Sequence, residues 1–517
     1  MCAIRDRLST YTTSATRRWV TLAALGGLLL GSHLAPQQVQ AANATESYIL
    51  AFEEAAFSAA AVDRFLEENN ISLVTNWPEI GAMVIQVEAT RAADLSLPKG
   101  ALGLAPVTRR AAGLDRNLAM ADPWEGAAPL PRVSSRAVGA AAQAQTALLD
   151  WQSRPQPGAS LTTAEELLDA PIYRFGLHWD LMKIQADQAW MAGFTGDPSV
   201  TVAILSSGLD YTHPELAGKV DLERSRNFLP EDAAMVQDLF PGAHPVADLG
   251  LHGSYVASMI ACNAFGIACV APNITLVGVK VLNFREEGTL ADLVTGILYA
   301  GHIRSDVIVL PEPMGTLDLT RPAEIIEYIV LLRAILRARI RGALVLAGAW
   351  PEDLMGLGQN ADDDGPVVLI PAQAGATAVA ATGTDDQWSG LSSFGFSLVD
   401  VAAPGGQVDL ETGLPPTDVF AFSWGICSSF TQFDRFGSFP AECNKEAEPQ
   451  YLFSLGLRPA VAFAASTAAL IDSTRQGRLR GGALRSRLLR SADDVLTSGR
   501  DAFTGRGRIN ALEAVSP

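Results

Sequence analysis

The chain has 517 residues, of which 48% are hydrophobic, 18% charged and 7% aromatic. This composition is typical of a globular protein and excludes a disordered or fibrous one, and the length indicates more than one domain. The formal net charge of -18 argues against nucleic acid as a partner, because neutralising phosphates requires clustered Lys and Arg.

The first 41 residues are predicted to be a signal peptide. Arg17 and Arg18 precede an apolar run from Trp19 to Leu30, and residues 39–41 fit a cleavage site for signal peptidase. This run is too short to span a bilayer, and no later apolar stretch is long enough. We therefore expect a secreted or periplasmic protein without a membrane span; the alternative is an amphipathic start to a cytosolic protein.

The cysteines agree with export. Cys2 would leave with the signal peptide, and an even number would remain: Cys262, Cys269, Cys427 and Cys443. Pairing of near neighbours, the first with the second and the third with the fourth, is the simplest of three connectivities. These spacings do not suit zinc, and the six histidines are scattered, so no metal site is predicted.

Residues 45–108 have the pattern of a small α/β domain. Strand, helix, strand, strand, helix and strand are predicted at YILAF, SAAAVDRFLEENN, ISLVTNW, AMVIQVE, a short stretch near Arg91, and LGLAPV. Two such halves predict an antiparallel sheet with helices on one face. Residues 109–175 are rich in Ala, Gly, Pro, Arg and Gln without sustained periodicity, which predicts a linker or a protease-sensitive spacer.

From about Phe175 onward, short apolar strands alternate with helices. Strands are predicted at VTVAIL, TLVGVKVL, DVIVL, GALVLA, ATAVAAT and LVDVAAP, and helices at TLADLVTGILYAG and PAEIIEYIVLLRAILRARI. This alternation predicts a parallel sheet covered by helices on both faces. Ligands bind such sheets beyond the carboxyl ends of the strands, so we expect the functional residues there.

Four motifs occur in this second domain: VTVAILSSGLDYTHPEL (200–216), HGSYVASMIA (252–261), LSSFGFSLVDVAAPGG (391–406) and GLRPAVAFAASTAALI (456–471). Together they resemble the subtilisin-like serine proteases, or subtilases. The resemblance implies a subtilisin-like peptidase domain over residues 176–517. Residues 45–108 are similar to the inhibitory propeptide of that family.

The resemblance also implies where a catalytic triad would lie. A Ser-His-Asp triad needs a hydroxyl nucleophile, an imidazole base and a carboxylate that orients the imidazole. Carried over by position, the carboxylate falls on Ser206, the imidazole on His252 and the nucleophile on Arg458. A protonated guanidinium has no lone pair to attack a carbonyl, and a serine carries no negative charge. Only His252 is retained from the triad.

The segments similar to the oxyanion hole and the substrate cleft are altered as well. The family's Ala-Gly-Asn corresponds to Ala349-Trp350-Pro351, and Pro351 offers no donor for an oxyanion. The two walls that bind an extended substrate correspond to Pro311-Glu312-Pro313 and Glu286-Glu287-Gly288. The prolines remove ladder donors from one wall, and the glutamates add charge to the other.

Simpler roles for these residues stay open at this point. His252 can be only the first residue of a helix on the cleft wall, and the Glu286-Glu287 pair is interpreted as a solvated loop. Arg458 can be exposed at the cleft rim or paired with one of three carboxylates, Glu312, Glu352 or Asp353. Three residues could replace missing catalytic groups only if their loops moved by several ångströms: Asp210, Ser254 and Ser454.

Three functions follow from the resemblance. The first is an exported, non-catalytic homologue, a pseudoprotease, which binds a peptide or protein ligand or its own propeptide-like domain. The second is an active secreted endopeptidase that cleaves extended peptides and compensates for the changes. The third is a purely structural exported protein. No cofactor is predicted, and no residue pattern identifies ligands for the structural calcium ion that the family resemblance allows.

Overall fold

The computed structural model describes residues 45–53, 58–111, 161–351, 357–408, 419–431, 451–477 and 479–517. The predicted signal peptide, most of the predicted linker and Cys443 lie outside the described residues. In the ranges given, no helix has the length and apolar character needed to cross a membrane. Residues 45–517 form one compact unit.

A four-stranded antiparallel sheet opens the described chain. Its elements are β1 (Thr45–Phe52), α1 (Ala59–Glu68), β2 (Ser72–Trp77), β3 (Ala82–Glu88) and β4 (Ala101–Pro106). The strand order is β2-β3-β1-β4. The elements follow the predicted order, except that the second predicted helix is a single 3-10 turn, Ala92–Asp94. One face of the sheet packs on α1, and the opposite face packs on a helix of the larger part.

The larger part is built on a seven-stranded sheet in which every pairing is parallel. The strand order is β15-β14-β12-β10-β6-β8-β7. The strands are β6 (Thr201–Ser206), β7 (Arg226–Asn227), β8 (Thr275–Lys280), β10 (Val307–Leu310), β12 (Leu344–Gly348), β14 (Thr377–Thr382) and β15 (Val401–Pro404). This confirms the predicted fold class.

Helices cover both faces of the large sheet. The early helices are α2 (Ala164–Asp169), α3 (Pro171–Arg174), α4 (Trp179–Lys183), α5 (Ala186–Met191), α6 (Pro230–Leu239) and α7 (His252–Ile260). The later helices are α8 (Leu290–His302), α9 (Pro322–Ile340), α10 (Leu457–Ser473), α11 (Gly481–Arg490) and α12 (Ala511–Val515). One face packs on α7 and α10, and the other packs on α8 and α9.

The alternation of side chains along β6 shows how the two cores divide. Val202 and Ile204 belong to the core with α7 and α10, whereas Ala203 and Leu205 belong to the core with α8 and α9. Because successive strand residues point to opposite faces, Ser206 continues the row that faces α7 and α10. The end of the central strand is therefore directed toward the amino termini of those two helices.

Short antiparallel pairs complete the fold. They join β5 (Arg109–Ala111) to β9 (Glu287–Thr289), β11 (Thr316–Asp318) to β13 (Val367–Leu369), and β16 (Ser423–Ile426) to β17 (Tyr451–Ser454). Within the predicted linker over 109–175, β5 lies at the start, and α2 and α3 lie near the end. The division into a propeptide-like domain, a linker and a peptidase domain stays a prediction.

One expected disulfide is present. Cys262 is bonded to Cys269, as local pairing predicts. Cys427 is also disulfide-bonded, and its expected partner, Cys443, lies outside the described residues.

Candidate active site

The three positions of the implied triad come together at the carboxyl ends of the central strands. Ser206 is the last residue of β6, His252 is the first residue of α7, and Arg458 is the second residue of α10. Each therefore lies at the end of an element that is anchored in the core. This is the edge of the sheet where the topology predicts the functional residues.

Glycines allow α7 to approach the loop after β6 closely. A Cβ on Gly253 would lie 1.9 Å from the carbonyl oxygen of Gly208, so any side chain there would collide with backbone. Gly208 itself has φ of +120°, in the region that favours glycine. The glycines of the HGS and SSGL motifs thus hold His252 against the end of β6.

The carboxylate of Glu312 connects all three positions. Arg458 donates to Glu312 Oε2 from Nε at 2.7 Å and also places Nη2 2.6 Å from it. Ser206 Oγ donates to Glu312 Oε1 at 3.2 Å. His252 Nδ1 lies 3.7 Å from Glu312 Oε2. Of the partners left open for Arg458, Glu312 is therefore one that the structure shows, while Glu352 and Asp353 lie outside the described residues.

The surroundings of Arg458 hold its guanidinium in place. Its Cζ atom lies 5.1 Å from the ring centroid of Trp350, a cation–π distance. Trp350 Nε1 donates to the carbonyl oxygen of Pro311 at 3.1 Å, which ties the indole to the Glu312 segment. A cation near a helix amino terminus opposes the helix dipole, and the carboxylate of Glu312 offsets this.

Glu286 is a second buried carboxylate in the site, so the prediction of a solvated position is wrong for this residue. Glu286 is 2% exposed, and its Oε2 atom lies 2.8 Å from His252 Nδ1. The loop aims it inward: Asn283 accepts from the backbone N–H of Glu286 at 2.9 Å, and Glu286 has φ of 60°. A left-handed conformation is uncommon for a residue other than glycine. The Glu286-Glu287 segment is therefore only partly a solvated loop.

Burial sets the protonation of this pair. Desolvation raises the pKa of Glu286 to about 7, although the charge of Arg458 opposes the rise. Desolvation, with Arg458 as the next cause, lowers the pKa of His252 to about 4. At neutral pH the imidazole is therefore neutral, and Glu286 exchanges a proton far more readily than an ordinary carboxyl.

His252, Glu286 and Glu312 form a group of possible metal ligands that the sequence analysis missed. One nitrogen and two carboxylate oxygens from these residues lie within 4.8 Å of one another. The sequence signal was present, since both glutamates replace small or neutral residues in segments similar to the substrate-binding walls. What the sequence could not provide is the inward direction of Glu286.

Pro351 follows β12 by three positions and is buried. Its pyrrolidine nitrogen carries no hydrogen, so the position supplies no donor to a developing oxyanion. The neighbouring Trp350 contacts Arg458 instead of leaving space at the helix amino terminus.

The residues weighed as substitutes for missing catalytic groups have other partners. Asp210 accepts from the hydroxyl of Ser429 at 2.7 Å. Ser254 donates to Asp248 at 2.6 Å. Ser454 donates to a neighbouring backbone carbonyl at 3.3 Å. Each of the three side chains is therefore bonded elsewhere, and among the described residues no hydrogen bond joins any of them to Glu312.

Strand β5 lies along the wall that contains Glu287. Arg110 pairs with Gly288 in the antiparallel register of β5 and β9. Its guanidinium reaches Glu327 at 2.6 Å and donates to the carbonyl oxygens of Met314 and Thr316 at 3.4 and 3.3 Å. A segment of the same chain therefore pairs along one edge of β9, in the wall where the resemblance places an extended substrate.

Comparisons with known proteins agree with this architecture. The model of the subtilase family matches residues 197–507. The chain belongs to the subtilase family. Thermitase from Thermoactinomyces vulgaris is 28% identical over 334 residues, which are 64% of this subtilase and 94% of thermitase. Subtilisin Savinase from Lederbergia lenta is 30% identical over 237 residues, 44% of this chain and 72% of that protein.

Among solved structures, the epidermin leader peptide processing serine protease EpiP from Staphylococcus aureus is similar with a TM-score of 0.64 and 17% identity. The match covers 91% of this subtilase and 98% of EpiP. At that identity the likeness shows the fold alone, including a counterpart for most of the chain. It does not transfer the activity.

The ion pair in the site gives a first testable prediction. Changing Arg458→Met should destabilise the fold by about 3 kcal/mol, because it leaves the Glu312 carboxylate buried without its cation. Glu312 is 3% exposed, whereas the Arg458 side chain is 18% exposed and can reach water more easily. The double variant with Glu312→Gln should therefore recover most of the loss. Urea unfolding of the single and double variants measures this coupling.

A matched control uses the half-exposed pair of Arg485 with Asp400. Arg485→Met should cost less than about 1 kcal/mol, as is usual for solvated pairs. Equal losses for Arg458→Met and Arg485→Met would contradict the account of Glu312 as a buried centre.

Proposed function

We propose that this chain is a non-catalytic member of the subtilase family that acts by binding. The observation that carries the proposal is the ion pair of Arg458 with Glu312 at the position where the resemblance places the nucleophile. A guanidinium cannot attack a carbonyl carbon, and here its donors are directed to a carboxylate. In a subtilisin, loss of the nucleophile or the histidine lowers turnover about 2 × 10⁶-fold.

The surroundings of the pair support the same proposal. Ser206 donates to Glu312 and supplies no carboxylate to His252. Glu286 reaches His252 Nδ1 from another loop, but the imidazole pKa is lowered to about 4. Such an imidazole is a weak general base at neutral pH. At the oxyanion position, Pro351 provides no donor, and one such donor is worth about 10²–10³ in turnover.

Strand β9 is paired with the short strand β5, as a bound peptide would be, and this favours binding over a purely structural role. Residues 109–111 form a strand on that edge, and the Arg110 side chain crosses to the segment that follows Pro313. The fold thus retains the ability to hold an extended peptide. We propose that the small domain of residues 45–108 and the strand after it act as a permanent intramolecular ligand, and that the protein is secreted or periplasmic once its signal peptide has been removed.

A non-catalytic chain cannot cut its own propeptide-like domain away. We therefore predict that the full chain, produced in a host that lacks extracellular proteases, keeps residues 45–108 covalently attached. Intact mass spectrometry and amino-terminal sequencing measure this. A mature amino terminus between residues 110 and 176, formed also after incubation of the purified protein alone, would contradict the proposal and favour an active endopeptidase.

The intramolecular ligand gives a separate prediction. Arg110→Ala should release β5 from β9, because it removes charged hydrogen bonds worth about 1.5–3 kcal/mol. Amides of residues 109–111 and 287–289 should then exchange about 10- to 100-fold faster in hydrogen-exchange mass spectrometry. Arg109→Ala is the matched control, because the pair of Arg109 with Glu231 is exposed and contributes little. Equal exchange in both variants would show that Arg110 does not anchor the strand.

A further inference from the structure

Glu286 has an unusual position for a buried carboxylate. The backbone N–H groups of Leu251 and His252 and the hydroxyl of Ser207 lie close to this carboxylate and oppose the rise of its pKa. Among the described residues, however, none of them meets an oxygen of Glu286 with full hydrogen-bond geometry, and His252 Nδ1 also has no well-aligned partner. The 2.8 Å contact between His252 Nδ1 and Glu286 Oε2 is thus a close approach without hydrogen-bond alignment. A buried carboxylate whose nearest donors are poorly aligned is costly, so the position favours a ligand that completes its interactions.

The charges around Glu286 are out of balance. Three fully or almost fully buried carboxylates lie in this region: Asp248 at 0% exposure, Glu286 at 2% and Glu312 at 3%. Arg458 pairs with one of them, while the nearby buried Lys280 is paired with Asp232. When all three carboxylates are ionised, two negative charges are left without a cation. A divalent ion would neutralise them.

From this geometry we infer that His252, Glu286 and Glu312 bind a divalent transition-metal ion such as Zn²⁺. Zinc–nitrogen and zinc–oxygen bonds of about 2.1 Å at tetrahedral angles place two ligand atoms about 3.4 Å apart. The His252 nitrogen lies 2.8 Å from the Glu286 oxygen and 3.7 Å from the Glu312 oxygen, on either side of that value. The two carboxylate oxygens that complete the set also lie within 4.8 Å of each other.

The ligand set favours zinc-like ions over calcium. An imidazole nitrogen is a preferred ligand of zinc and similar ions, whereas calcium takes six to eight oxygen ligands. Arg458 and Ser206 would act as outer partners, because both donate to Glu312 and so fix the orientation of its carboxylate. The inference does not depend on whether the chain is catalytic, since it concerns binding alone.

Zn²⁺ itself is the probe for the test. The full chain, freed of metal with a chelator, is titrated with Zn²⁺ in competition with a chromophoric chelator. We expect one high-affinity Zn²⁺ per chain. Glu286→Gln and His252→Ala should each weaken it by about 100-fold or more, since loss of outer partners alone costs about 10- to 100-fold. Glu287→Gln, which changes the adjacent carboxyl, is the matched control and should leave the affinity unchanged.

X-ray absorption on the zinc-loaded wild-type protein needs no variant and therefore does not depend on the folding of the mutants. One imidazole with oxygen ligands and no sulfur is the expected first shell. Absence of saturable Zn²⁺ binding, affinity that neither variant changes, or a shell with sulfur or several imidazoles would overturn the inference. The readout is separate from the propeptide test, so either proposal can fail alone.

Discussion

The pairing of Glu312 with Arg458 is the interaction on which the site depends. Glu312 is buried at the end of the central sheet, and its two oxygens are shared among residues from β6, α7 and α10. Removing water from this carboxylate costs several kcal/mol unless a cation is fixed beside it. Arg458 is that cation, and it occupies the amino terminus of the helix where an enzyme of this family needs a nucleophile.

This constraint explains why the framework is similar to that of an active subtilase whereas the residues of the site are different. The glycines that bring α7 against the loop after β6 are retained, since any side chain at Gly253 would meet the Gly208 carbonyl. The framework therefore still delivers three side chains to one point. With Arg458 and Glu312 at that point, the chemistry changes from attack on a carbonyl to the binding of charge. Glu286 is then the carboxylate closer to His252, in a part of the site where buried carboxylates outnumber the cations paired with them.

The sequence predicted most of the fold, and physical reasons separate what it predicted from what it missed. Apolar runs with a period of two or 3.6 located the large sheet and helices α8 and α9, because such periodicity directly reflects burial. The resemblance to the subtilases located the three positions that meet at Glu312, since each lies within one of the matched motifs. Strand β5 was missed because Arg109–Ala111 is too short for any periodicity to indicate a strand. Glu286 was misread because its inward direction depends on a left-handed backbone angle, and a glutamate in a loop is usually solvated.

The central claim is that the site lacks a serine nucleophile, and labelling with a fluorophosphonate probe tests it most directly. Wild-type protein, the His252→Ala variant and an active subtilisin as positive control are treated in parallel and analysed by intact mass. The account predicts adduct formation on the active subtilisin alone. A stoichiometric adduct on the wild-type chain that disappears in His252→Ala would show an activated hydroxyl beside His252 and would contradict the account.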